Sequence, residues 1–222
     1  MILNRSNWNK SDYQKFVDFL FSFEDLEYKN FNSKLVLKNN LIGIRVPILK
    51  KIAKELAKGN YKEFISIMNH NYHEEVLIHG LILGYIKDPM NYFDDYIKDM
   101  NDWQSCDITI SNMKYFKYNQ DINYIKKYLY HRVGYVILLT YYIKDEYIDE
   151  LYNIVDNYNS DNYYVKMAVA WLLSYLIIYD KNRAVKYLKK SKLDDFTYNK
   201  GIQKAIESKK IKDKKWLKDS KR

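Results

Sequence analysis

The sequence predicts an all-α protein, a solenoid of stacked helical hairpins. Three observations predict it. Helix breakers are scarce, with two prolines and six glycines in 222 residues. Apolar residues recur at helical spacing almost throughout, and no Asn-Gly turn joins alternating strand-like runs. Half-polar and strongly apolar segments alternate, in pairs that recur roughly every 35 to 40 residues.

The elements follow in order. In "VPILKKIAKELAKG", Ile48, Leu49, Ile52, Ala53 and Leu56 share one side and the lysines the other. Pro47 suits the first helical turn and Gly59 a C-terminal cap. "NYHEEVLIHGLILGYI" reads as a more buried helix, closed by Lys87, Asp88 and Pro89. "PMNYFDDYIKDM" follows, and a further helix opens near Asp102. Beyond it, "DINYIKKYLY", "RVGYVILLTYYIK", "EYIDELYNIVDNY", "NYYVKMAVAWLLSYLII", "NRAVKYLKKS" and "LDDFTYNKGIQKAIES" read as helices of roughly 10 to 18 residues. A hairpin of this kind buries its apolar face only by stacking on its neighbours, as HEAT-like repeats do in a curved α-α superhelix. The repeats do not match residue by residue, so a compact irregular all-α domain is the competing reading. The expected organisation is one repeat domain over 1–208 and a basic, frayed tail over 209–222.

Bulk composition narrows the function. Apolar residues make up 47%, which excludes a disordered chain. A single cysteine, Cys106, excludes a disulfide framework and suits a reducing cytoplasm. The first residues show no apolar signal-peptide core. The longest apolar run, Met167 to Ile178, is too short to span a membrane. A formal charge of +9 favours a polyanionic partner.

The chemistry-bearing residues are few. The four histidines lack the H-E-x-x-H spacing, and one cysteine cannot build a zinc knuckle, so no metal is expected. No phosphate-binding glycine loop is present, and no cofactor is expected. Cys106 lies on an apolar helix face and reads as a small buried residue. "NDWQSCD" remains: Trp103 and Asp107 are four residues apart and share a helix face, a flat apolar plate beside a carboxylate. Trp171 and Arg132 complete the set, and each of the four also has a plain packing or surface reading.

The segments "FNSKL", "IGIRVPILKKIAKEL", "EEVLIHG", "NDWQSCD", "YYVKMAVAW" and "FTYNKGIQKAIES" together resemble the DNA alkylation repair family, the AlkD-like HEAT-repeat alkylpurine DNA glycosylases. The resemblance runs in order from about Tyr28 to Ser208. It implies a monomeric superhelix that holds duplex DNA on a concave face. It also implies hydrolysis of the N-glycosidic bond of cationic alkylpurines, of the 3-methyladenine and 7-methylguanine type, without base flipping. By match to those segments, Asp107 takes the place of the catalytic carboxylate, with Trp103 and Trp171 as flanking indoles. Arg132 takes the place of a DNA-contacting arginine, and Lys166, Arg45, Lys200 and Lys204 are further cations expected to contact DNA.

Two departures from the family pattern stand out. Active members carry an arginine shortly after the second tryptophan, where this chain has Ser174 and Tyr175. "YKNFNSKLVLKNN" is short and loop-like and resembles a shorter, non-catalytic branch. The alternative is therefore a nucleic-acid-binding protein of the same family without excision. A protein-interaction array with incidental charge is the third possibility, separable by its lack of salt-dependent DNA binding.

Overall fold

Side-chain caps decide where the helices begin. Asn9, Asp25, Asn60, Asp102, Asp121, Asn162, Asp180 and Asp194 each accept a backbone N–H from the first turn that follows them. Such a contact satisfies one of the orphan donors of a helix start. The result, in a computed structural model that describes residues 1–36 and 40–222, is an all-helical chain with no strand among the described residues. It divides into two compact units, Met1–Tyr118 and Asn119–Arg222.

The first unit holds α1 (Lys10–Phe21), α2 (Leu26–Asn32), α3 (Val46–Leu56), α4 (Tyr61–Ser66), α5 (His73–Leu83), α6 (Met90–Asp99), α7 (Trp103–Asn112) and α8 (Tyr115–Tyr118). Alternate helices pack side by side, α3 on α5 and α5 on α7. Every residue of the central helix α5 is buried, and beyond its first turn it is apolar on all sides apart from His79. Its core partners include Phe16, Leu20, Ile44, Leu49, Ile52 and Phe64. Burying the acidic start of α5 requires partners for its carboxylates. Glu74 accepts the N–H groups of Ile42, Gly43 and Ile44 at 2.9, 2.7 and 3.2 Å. Glu75 accepts from the Tyr13 hydroxyl and, at 2.7 Å, from the Tyr72 N–H. Gly43, with φ of 97°, makes the turn that presents those amides.

The second unit holds α9 (Ile122–Lys126), α10 (Arg132–Tyr141), α11 (Ile148–Asp156), α12 (Tyr163–Tyr179), α13 (Lys181–Leu188), α14 (Asp195–Glu207) and α15 (Lys215–Lys218). Here α12 is the apolar centre, packed on α10 and on α14. No helix among the described residues is long and apolar enough to cross a membrane.

Three expectations are corrected. The α3 helix ends at Leu56 with Ala57 as its cap, not at Gly59. Gly59 instead allows close passage of the N-terminal segment, since a Cβ there would sit 2.6 Å from the Arg5 carbonyl oxygen. The segment read as one helix from Asp121 to Tyr130 is helical only over Ile122–Lys126. The basic tail does not fray. Leu217 is buried, and the Arg222 guanidinium lies 4.0 Å from the Tyr198 ring while donating to the carbonyls of Leu193 and Ser191 at 2.9 and 2.6 Å. The loop-like reading of "YKNFNSKLVLKNN" falls partly on residues 37–39, outside the described residues; before them α2 spans seven residues.

Candidate nucleic-acid interface

Helix α7 carries the first pair of predicted site residues. Gln104, Ser105, Cys106, Thr109 and Ile110 are buried, which leaves Trp103 and Asp107 half-exposed on the opposite stripe. The i, i+4 spacing thus places indole and carboxylate on one face. Trp103 is oriented by its Nε1–H, which donates to the Leu35 carbonyl at 2.9 Å. That partner belongs to the "FNSKL" segment, which begins in the last turn of α2.

Behind this face is a buried polar network. The His73 Nδ1 lies 3.2 Å from Asp102 Oδ2, and its Nε2 lies 3.0 Å from Gln104 Oε1. Gln104 and Asn32 exchange paired amide contacts at 2.7 and 3.2 Å. Asp102 also caps α7 by accepting the Ser105 N–H at 2.8 Å. Nε2 is thus in hydrogen-bond contact with Gln104, while Nδ1 meets Asp102 as a close ion-pair contact without hydrogen-bond geometry. Burial alone would lower the His73 pKa, but the contact with Asp102 and its charge, aided by Gln104, raise it. Burial would raise the Asp102 pKa, and His73 together with the α7 amides brings it below the ordinary carboxylate value. The network joins α2, α5 and the start of α7, so the orientation of the exposed face is set from inside.

Helix α12 carries the other indole. Trp171 is half-exposed on a helix whose neighbouring positions are buried. Arg132 Cζ and Lys204 Nζ each lie 5.8 Å from its ring centroid, and the Tyr175 ring packs edge-on at 6.1 Å. Arg132 is 8% exposed and donates from Nη1 to the Tyr164 carbonyl at 3.1 Å. A cleft of about 330 Å³ opens beside the indole, and its lining includes Trp171, Ser174, Tyr175, Lys204, Glu207 and Lys210. Ser174 donates its hydroxyl to the Trp171 carbonyl at 2.7 Å, and Tyr175 is 39% exposed. A wider cleft of about 420 Å³ lies between α11 and α13, away from these residues, and includes Tyr152, Asp156, Arg183 and Tyr187.

The remaining basic candidates differ among themselves. Lys200 is exposed, with Nζ 5.8 Å from the Phe196 ring centroid. Lys166 sits 3.5 Å from the exposed Asp161 carboxylate. Arg45, in the first unit, donates from Nε to Asp25 at 2.8 Å and lies over the Tyr28 ring. An exposed pair of that kind is weak enough to yield to a phosphate.

A profile of the family described as DNA alkylation repair enzyme matches residues 22–205. The chain belongs to the DNA alkylation repair enzyme family. No curated protein and no solved structure matches it. The family match covers α7, Arg132, the whole of α12 and Lys204. DNA is the partner that membership in a DNA-repair family suggests, and the charge of +9 agrees with it.

The histidines hold one arrangement that spacing did not reveal. His70, His79 and Asp99 each bring a possible ligand atom to within 4.8 Å of the others. Burial and the neighbouring His70 push the His79 pKa down to about 3, so its imidazole is neutral at physiological pH. A gap of nine residues across a loop matches no metal motif, so only the fold brings these groups together.

Proposed function

We propose that this protein binds alkylated duplex DNA and hydrolyses the N-glycosidic bond of cationic alkylpurines, with HEAT-like hairpin repeats as its scaffold. The observation that carries the proposal is the Trp103–Asp107 stripe of α7, half-exposed and held from behind, in a chain of this family.

The chemistry suits those residue types. An N3- or N7-alkylated purine carries positive charge and departs as a neutral base, so no general acid is needed. Breaking the C1′–N bond leaves the sugar oxocarbenium-like. A fixed carboxylate stabilises that developing cation. At about 4 Å and an effective dielectric near 20, the attraction is roughly 4 kcal/mol. Felt mainly in the transition state, it corresponds to about 10³-fold in rate. Water then attacks C1′, its proton passing by way of the carboxylate to solvent, and leaves an abasic site and the free base. An indole face beside the cationic nucleotide adds about 0.5–2 kcal/mol. Trp103 on α7 and Trp171 on α12 each offer such a face. Lys200 and Lys204 neutralise phosphates, and Arg45 and Lys166 join them by exchanging a surface carboxylate for a phosphate. Arg132, buried against Trp171, sets the pose of that indole.

The test is release of free base from a duplex containing 7-methylguanine. Release by the wild type, lost in Asp107→Asn, supports the proposal. A second reading, binding without excision, draws on the seven-residue α2 and on Ser174 and Tyr175 after the second indole. It predicts salt-sensitive duplex binding with no release by either protein.

A further inference from the structure

Three groups from separate elements meet in the first unit. His70 lies in the loop before α5, His79 in the middle of α5, and Asp99 at the end of α6. His79 Nδ1 is 3.1 Å from His70 Nε2, and His70 Nδ1 is 3.2 Å from Asp99 Oδ2. The two imidazole planes are within 3° of each other, with centroids 5.1 Å apart. The geometry points to a binding site for one divalent transition-metal ion of the zinc class, with His70, His79 and Asp99 as its ligands.

Donor chemistry selects the class of ion. Two imidazoles and one carboxylate suit zinc and its neighbours, whereas magnesium and calcium call for oxygen sets. The spacing agrees. Ligand atoms about 2.0–2.2 Å from a tetrahedral ion lie roughly 3.3–3.5 Å from one another. The facing imidazole nitrogens, at 3.1 Å, are already close to that separation. Asp99, with a side chain 35% exposed, is the mobile member and can close the remaining gap by changing rotamer. Its exposed side also leaves a route for the ion and room for a water as fourth ligand.

The backbone and the burial point the same way. His70 has φ of 51°, the only positive φ at a non-glycine residue among those described. Such a conformation costs of order 1–3 kcal/mol and recurs at ligand clamps. His79 is 4% exposed, and its Nε2 has no hydrogen-bond partner among the described residues. The polar contact of this buried ring therefore goes to the cluster. Without metal, a proton lies between the two facing nitrogens; the ion takes its place. The ion would tie the loop before α5 to the end of α6, three residues ahead of the Asp102 cap of α7.

The test uses the untagged 222-residue chain, stripped with a chelator and titrated with zinc by calorimetry and with cobalt by visible absorption. The expected result is one equivalent bound per chain, with cobalt bands of tetrahedral type. Asp99→Asn and His70→Gln should each weaken zinc at least tenfold, as loss of a ligand or its orienting partner does. Asp99→Asn changes a partly exposed side chain, and equal unfolding temperatures of the stripped forms would show that the fold is kept. His79→Gln should abolish the cobalt bands. Absence of saturable binding at one equivalent would overturn the site. So would undiminished affinity in both Asp99→Asn and His70→Gln.

Discussion

The two indole-bearing helices are held in opposite ways. Helix α7 is fixed by a buried polar network, with His73, Asp102, Gln104 and Asn32 beneath Trp103 and Asp107. Helix α12 is fixed by apolar burial, and the polar groups at Trp171 are long cations lying over its ring. The first arrangement ties the start of α7 to α2 and α5 and makes its position depend on the protonation of His73 and Asp102. The second gives an adaptable basic surface and makes it depend on salt. An electrostatic catalyst needs the first, because misplacing the charge forfeits the stabilisation. A phosphate contact tolerates the second.

Breaking the α7 network is expected to have the largest effect on the fold. His73→Leu leaves Asp102 buried without its partner and should cost about 3–5 kcal/mol, read by urea unfolding between about pH 4 and 6.5. A loss below about 1 kcal/mol would place the network outside the determinants of α7. The pH dependence sharpens the same point. The raised His73 pKa gives stability that is complete below its unfolded value near 6.5 and is lost as pH climbs through the folded value. The lowered Asp102 pKa gives stability that is complete above its unfolded value near 3.9 and is lost as pH falls through the folded value. The joint contribution is therefore greatest between about pH 4 and 6.5 and declines on both sides. His73→Leu should flatten that profile, which chemical unfolding across pH would register.

On the α12 side the effects are smaller. Trp171→Ala should slow excision about 2- to 30-fold, the range of one cation–π contact, with a lesser loss in duplex affinity. An equal loss in both would reduce Trp171 to a packing residue. Lys200→Ala and Lys204→Ala should each flatten the dependence of log affinity on log salt by about 0.9, and weaken binding alike for every duplex sequence. Fluorescence anisotropy at several salt concentrations measures this.

Much of the frame was legible in the sequence, and for physical reasons. The central helices α5 and α12 stand out because helices whose positions are mostly buried are mostly apolar. The start of α7 is marked by Asp102, a capping residue type just ahead of the apolar positions. What stayed hidden depends on tertiary contacts. A cation at the start of α10 looks like a surface residue until Tyr164 and Trp171 enclose Arg132. The "FNSKL" segment gives no hint that the Leu35 carbonyl would orient Trp103. A lysine-rich tail reads as frayed because its anchors, Leu217 and Arg222, are single residues within it. His70 and His79 are separated by a loop that no helical spacing rule covers.

The most direct measurement is single-turnover release of 7-methylguanine from duplex DNA by the wild type and by Asp107→Asn, with duplex affinity measured alongside. The expected rate is about 10³-fold lower in the variant, with affinity within about twofold of the wild type. Equal rates of release, or no release by the wild type, would contradict the proposal.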